Sequence, residues 1–418
     1  MLGATKRFRQ RRWGVLTACI PLAAVALPVG APPAAASPRT TASNGAPAAA
    51  MSPSSPWAIV TTPDPSGDWG SGALDALRGV SCVSPTFCMA GGSYVPRPVK
   101  AGVYRSFPLF ELWDGTSWAV LPSPIGGGVS GISCSSAHFC MAVGVTNVNN
   151  GGSHLGEFSL AEVWRGARWS AVTSPPPPPG VPAYEAQLAS VTCTSRNSCV
   201  VVGSYGEKRS ARAQTLIESW DGSRWSLNHS PSPGGPPGGL NALSAVSCSA
   251  AGGAICAAVG YEAASTSGHA HAIVEVDHHG TWSLDLAVGT ASSEGSHLYG
   301  VSCNLARRCV AVGDLVAGTS DQLLEGDWDG QTWGVVPTPP SAVVGVAVTC
   351  GSAGTCTEVG PSGEVATLES GTWMPAPTPP RNRVSASSIS CTASICMAVG
   401  DYVAGDMTHT WAEYRRMN

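Results

Sequence analysis

Charge is scarce in this sequence. Its 418 residues carry 23 Lys and Arg against 27 Asp and Glu, 12% of the chain together. The clustered positive charge that a nucleic acid or an anionic surface requires is missing. Lysine is nearly absent, at Lys6, Lys100 and Lys208 only, and with the bias to Ala and Gly this points to a GC-rich, bacterial genome. Helical periodicity is also missing: 50 glycines and 34 prolines break the chain throughout, a pattern of many short strands and turns. Beyond the N-terminal region nothing approaches the roughly 18 uninterrupted apolar residues of a membrane-spanning helix. No GxSxG, HExxH, EF-hand loop or phosphate-binding glycine loop occurs, and no non-repeating pair of carboxylates stands out for glycoside hydrolysis.

Residues 1–36 read as a signal peptide. Lys6, Arg7, Arg9, Arg11 and Arg12 make a basic start, Val15 to Gly30 is apolar, and Ala34-Ala35-Ala36 offers small residues for cleavage before Ser37. Leu16-Thr17-Ala18-Cys19 has the look of a lipoprotein box, but most of the apolar run lies beyond Cys19, which argues against a lipid anchor. Residues after Arg11-Arg12 fit a twin-arginine signal poorly. Residues 37–55, mostly Ala, Pro, Ser and Thr, read as a disordered spacer. Cleavage removes five of the 23 basic residues and no acid, which leaves a net charge of −9. The expectation is a secreted, extracellular, monomeric protein with no nucleic-acid partner, no membrane span and no cofactor.

What is present is a repeat. Fifteen cysteines occur, and apart from Cys19 they fall into close pairs: Cys82 and Cys88, Cys134 and Cys140, Cys193 and Cys199, Cys248 and Cys256, Cys303 and Cys309, Cys350 and Cys356, Cys391 and Cys396. The first cysteines of successive pairs lie 52, 59, 55, 55, 47 and 41 residues apart. Each copy starts with an apolar residue, a hydroxyl and Cys, as in Val80-Ser81-Cys82, and after the second Cys runs to a glycine, as in Ala142-Val143-Gly144. A variable loop follows, then a segment built around Glu and often Trp, a tight Asp-Gly turn, and a last strand opening on Trp, as in Asp114-Gly115-Thr116-Ser117-Trp118. Asp-Gly between two alternating runs is a strong hairpin signal. Each copy is therefore four strands, A to D, the size of one propeller blade. The seventh copy lacks strand D, and Trp57-Ala58-Ile59-Val60 copies Trp118-Ala119-Val120-Leu121. The predicted fold is all-β: a seven-bladed β-propeller over residues 56–418, closed by an N-terminal strand that completes the last blade and leaves no free edge there.

The turn Trp328-Asp329-Gly330-Gln331-Thr332-Trp333 resembles the Asp-box of BNR-type propellers, and the order of elements is similar to the photosystem-assembly-factor type. The resemblance implies a propeller. It does not imply one function, because such propellers include sialidases, sorting receptors and assembly factors. The turn departs from the pattern at Asp277-His278-His279-Gly280 and at Ser370-Gly371.

Four to seven residues between paired cysteines place them on either side of the A–B turn, as disulfides of an exported protein rather than metal ligands. Glu111, Glu162, Glu218, Glu275, Glu325, Glu369 and Glu413 recur once per copy. A catalytic acid is needed once or twice, so seven suggest a blade-to-blade hydrogen-bonding role, accepting from backbone or indole N–H groups. His269 and His271 share a strand face, yet exposed loop histidines are the simpler reading. Recognition is expected on the face of the B–C and D–A loops, which vary in length. Tyr94, Arg97, Tyr104, Arg105, Tyr184, Tyr205, Arg209 and Arg212 fall there. The expected function is a non-catalytic binding or scaffold module for an extracellular protein or glycan, and the alternative is a carbohydrate-active hydrolase or lyase, with Glu157, Glu185, Glu207 and Glu262 as the acids to check.

Overall fold

Each copy of the repeat folds into an antiparallel meander. In the first, strands A to D are Leu74–Ser84, Phe87–Val95, Phe107–Trp113 and Trp118–Leu121, paired in that order. The computed structural model describes Trp57 to Met417 except residues 66–73, 96–105, 149–155, 174–185, 207–212, 232–238, 250–254, 264–268, 279, 289–294, 304–307, 318–319, 337–342, 352–353, 370 and 380–382. The leader and the spacer lie outside these described residues.

The turns follow from their residues. In the C–D turns the Asp114 carboxylate accepts from the N–H of Thr116 (2.8 Å) and of Ser117 (2.9 Å). Asp221 and Asp329 repeat this with the second and third residues after them. Gly115, Gly222 and Gly330 take φ near +100° (102°, 101° and 104°), which favours glycine. The Thr116 hydroxyl, which donates to the same Asp114 oxygen at 2.7 Å, and then the N–H groups of Ser117 and Thr116 hold the exposed Asp114 carboxyl down to about 2.

Five copies form separate four-stranded sheets. The last copy supplies three strands, Val384–Cys391, Ile395–Ala404 and Met407–Arg416. The strand Ala58–Val60 pairs antiparallel with the third of them, Ala58 opposite Tyr414 and Val60 opposite Ala412. One parallel bridge, Leu74 to Thr408, joins this sheet to that of the first copy, so their strands count as a single eight-stranded sheet.

The core lies between sheets. Both faces of the middle strands are covered, hence their continuous apolar runs in place of alternation. Met89 and Phe110 of the first copy pack with Val129, Ile132 and Leu160 of the second, while Leu77, Leu109 and Trp113 pack with Ile395, Met397 and Val399 of the last. The A-strand hydroxyls have a structural use. Ser81, Ser133, Ser247, Ser302 and Thr349 each accept the N–H of the first cysteine in the following copy, at 2.9–3.3 Å. Ser390 of the last copy does the same for Cys82 of the first, at 3.0 Å.

Each cysteine pair is a disulfide between directly opposed residues of strands A and B. Seven disulfides fit an oxidising compartment. Each closes a small loop, for about 2–3 kcal/mol on a chain-entropy basis. Non-reducing peptide mapping of the folded protein should return these seven local bridges, Cys82–Cys88 through Cys391–Cys396; a bridge between copies would contradict the pairing.

Two of the recurring glutamates, Glu325 and Glu369, stand outside the register of the others. Glu111, Glu162, Glu218, Glu275 and Glu413 share one register position and are fully buried. Glu325 stands one residue earlier, with Gly326 in the common position, so its side chain turns to the opposite face and accepts the Trp373 indole N–H at 3.0 Å. Glu369 is exposed. In its copy the buried acid is Glu358 on strand B, opposite Ala366 of strand C, where other copies place an alanine or valine opposite the acid. Hydroxyls that precede a proline at the end of strand D serve as partners: Ser123 donates to Glu162 at 2.7 Å and Ser230 to Glu275 at 2.8 Å. No carboxyl oxygen of Glu111, Glu218 or Glu358 has a hydrogen-bond partner among the described residues. Burial pushes Glu162 and Glu275 up to about 7 and Glu218 to about 8; burial and then the nearby Glu325 push Glu358 to about 8.

Candidate functional site

The A strands carry the site, because most of them are bulged. Their pairing with strand B skips Arg78, Ser130, Ala189, Ser244, Tyr299 and Ser387. Each lies four residues before its cysteine, a place held by Val346 in the sixth copy. A bulge leaves one residue unpaired and re-aims its side chain. Here all seven residues line one cavity of about 240 Å³. The bulge also explains the glycine that ends Ala-Val-Gly. A Cβ on Gly92 would stand on the Ala76 carbonyl, and Gly144, Gly203, Gly260, Gly313 and Gly400 meet strand A in the same way.

Five of these seven residues are Ser, Ala or Val. Arg78 and Tyr299 are the exceptions, and both also line the wider outer cavity of about 590 Å³, with Ser93, Ser106 and Ser130. Arg78 donates through Nη1 to Asp401 Oδ1 at 3.3 Å and to Ser387 Oγ at 3.4 Å. Burial pushes the Asp401 carboxyl up, and Arg78 draws it part of the way back. The Tyr299 ring, 39% exposed, stacks on His297 with centroids 5.8 Å apart. His297 in turn meets Tyr261 edge-on and holds Nδ1 3.4 Å from Asp314 Oδ1. Burial pushes the Tyr299 phenol up, and Asp314 beside it adds to this. The cavity thus presents a guanidinium, a partly exposed phenol ring and hydroxyls around a space left open by small residues. Such a set suits recognition: one large aromatic, one arginine and a few placed polar groups.

Of the loop residues expected to bind, Tyr94 stacks on Phe107 at 5.5 Å and Tyr205 donates its hydroxyl to Gln214 Oε1 at 2.5 Å. Arg97, Tyr104, Arg105, Tyr184, Arg209 and Arg212 lie outside the described residues, as do Glu185 and Glu207. Glu262 is partly buried and pairs in register with His271. Among the described residues no group of three or more His, Cys, Asp or Glu converges, and no helix is long and apolar enough to cross a membrane. Sequence reading passes over Arg78, Tyr299 and Asp401. The signal that finds the first two is the column four residues before each cysteine, where they alone are large and polar.

No family model and no curated protein matches the chain. Solved structures do: 412 chains resemble it, so the fold alone does not choose a function. One is "YCF48 bound to D1 peptide", at 12% identity and a TM-score of 0.50, covering 87% of this chain and 97% of that one. Another is a gluconolactonase from Xanthomonas campestris, at 11% identity and a TM-score of 0.41, covering 69% and 86%. The first likeness, with the four-stranded antiparallel sheets, makes this fold a β-propeller.

Proposed function

We propose that this chain is an exported, non-catalytic binding module: a closed seven-bladed propeller that holds an extended segment of a protein partner at the mouth of its central channel. Three features support closure. The hydroxyl-to-cysteine bond from Ser390 to Cys82 repeats the bonds within the series. The core cluster between last and first copies matches those between the others. The bridge between Leu74 and Thr408 has the form of the one between Ala213 and Leu240. Export is supported by the leader and the disulfides.

The observation that carries the binding role is the ring of bulge residues, in which Arg78 and Tyr299 replace small side chains on one open cavity. Asp401 is already held by Arg78 at 3.3 Å, which favours recognition over acid–base chemistry at that carboxyl. Tyr94, Tyr205 and the loop arginines would add outer contacts. Screening the purified protein against peptide and glycan arrays supplies a ligand. Arg78→Ala and Tyr299→Ala should then each weaken it about tenfold or more, as central Arg and Tyr anchors do, with unchanged melting. A glycan ligand lost with the same variants would keep the site and change the partner. Full binding by both variants, with loss on substituting Tyr205, Arg209 and Arg212, would move the site to the loops.

A further inference from the structure

The face opposite the channel mouth carries the A–B and C–D turns, and its second copy breaks the repeat in a way of its own. There the Asp-Gly turn is Arg165-Gly166, a third departure from the repeat. Asp114, Asp221 and Asp329 fasten their turns by accepting backbone N–H groups. An arginine has no acceptor, so this turn gives up those side-chain bonds and keeps its glycine, at φ +84°, and the backbone bond from the Arg165 N–H to the Arg168 carbonyl at 3.4 Å. A break in a local rule without a structural gain marks a place to look for function.

Arg165 opens on a cavity of about 440 Å³ between the second and third copies, shared with Arg196, His138, Ser135, Ser136 and Ser195. No carboxylate lines it. Arg165 and Arg196 are exposed, and neither guanidinium has an ion pair or hydrogen bond among the described residues. Ser136 and Ser195 accept backbone N–H groups from His138 and Asn197, which leaves each hydroxyl proton free to point into the cavity. The lining is thus rich in donors and holds unpaired positive charge, in a chain whose net charge is negative. Two guanidiniums and several hydroxyls offer more donors than a carboxylate's two oxygens use. A tetrahedral oxyanion, with three or four oxygens, matches them.

We infer that this cavity binds a phosphate or sulfate group, free or as the ester of a larger ligand, at a site separate from the channel mouth. Calorimetric titration at constant ionic strength, with sodium phosphate, sodium sulfate, glucose 6-phosphate and a sulfated disaccharide as probes, tests it and separates the sources. Saturable binding of at least one probe is expected. Arg165→Asp restores the residue used in the sister turns, so the variant should fold, and it should bind about tenfold to a hundredfold more weakly. Arg196→Ala should weaken binding to a similar degree. Arg224→Ala, the equivalent turn in the third copy, should change nothing; its side chain faces Asp221 at 3.7 Å. The inference fails if no probe saturates, or if Arg165→Asp binds as the parent does.

Discussion

A protein that begins at Pro56 should melt with one that begins at Ser37, and a protein that begins at Asp64 should melt roughly 10 °C or more lower. The segment removed in the second case is part of the last sheet. Trp57 is only 3% exposed and packs with Val359, Ile389, Ala398 and Trp411. Loss of a buried Trp alone costs about 3–5 kcal/mol. The pairing of Ala58–Val60 goes with it, and so do the bonds of Thr62 with the Thr410 carbonyl at 2.9 Å and the Thr410 hydroxyl at 2.8 Å. The outer edge of Met407–Arg416 is then bare, which invites pairing with another chain. Scanning calorimetry, with light scattering for aggregation, decides it. Equal melting of all three proteins would show that the N-terminal strand contributes no stability.

The melting temperature should also fall as pH rises from about 5 to about 8.5. Glu162 and Glu275 are held near 7 and Glu218 and Glu358 near 8, while an unfolded carboxyl titrates near 4.5. Between those values the folded protein binds more protons than the unfolded chain. Stability from these groups is therefore full below the unfolded value and is lost as pH climbs through the folded one. Below about pH 4 the turn aspartates act in the other direction, since Asp114 is held near 2 and loses its bonds on protonation. A maximum near pH 5 follows. Glu218→Gln keeps the shape and cannot ionise, so it should match the parent at pH 5 and exceed it at pH 8.5 by on the order of 3 kcal/mol. A melting temperature that is level or rising across this range, or a variant with the parent's slope, would refute this account.

Much of this fold is legible in sequence because its constraints are local and repeated. Opposed cysteines, Asp-Gly turns and the glycine opposite the bulge each announce one piece of backbone geometry, and Trp57 to Val60 copies the strand missing at the other end. The bulge itself was not legible, since nothing in Arg78 or Tyr299 marks the residue as unpaired. Only the register shows it. Glu369 misled for a related reason: it occupies the expected place in the order of residues, but burial depends on which strand faces the seam, and there Glu358 had taken the role. The turn arginine Arg165 was hidden by its neighbours, because Trp164 and Trp169 preserve the hairpin pattern around it. Most of the loop residues expected to bind gave no comparable geometric constraint.

The exchange between Glu358 and Ala366 bears on how the copies diverged. In the first copy Ala90 sits on strand B and Glu111 opposite it on strand C; in the sixth the acid is on B and the alanine on C. Scored column by column, that is two unrelated mismatches. Scored as a rung of the ladder, it is one compensated event, because either order places a single carboxyl beside a single small side chain. Phylogenies of the individual blades should therefore be built on facing pairs, and coevolution between these two positions should be strongest where the single-site profiles look least conserved.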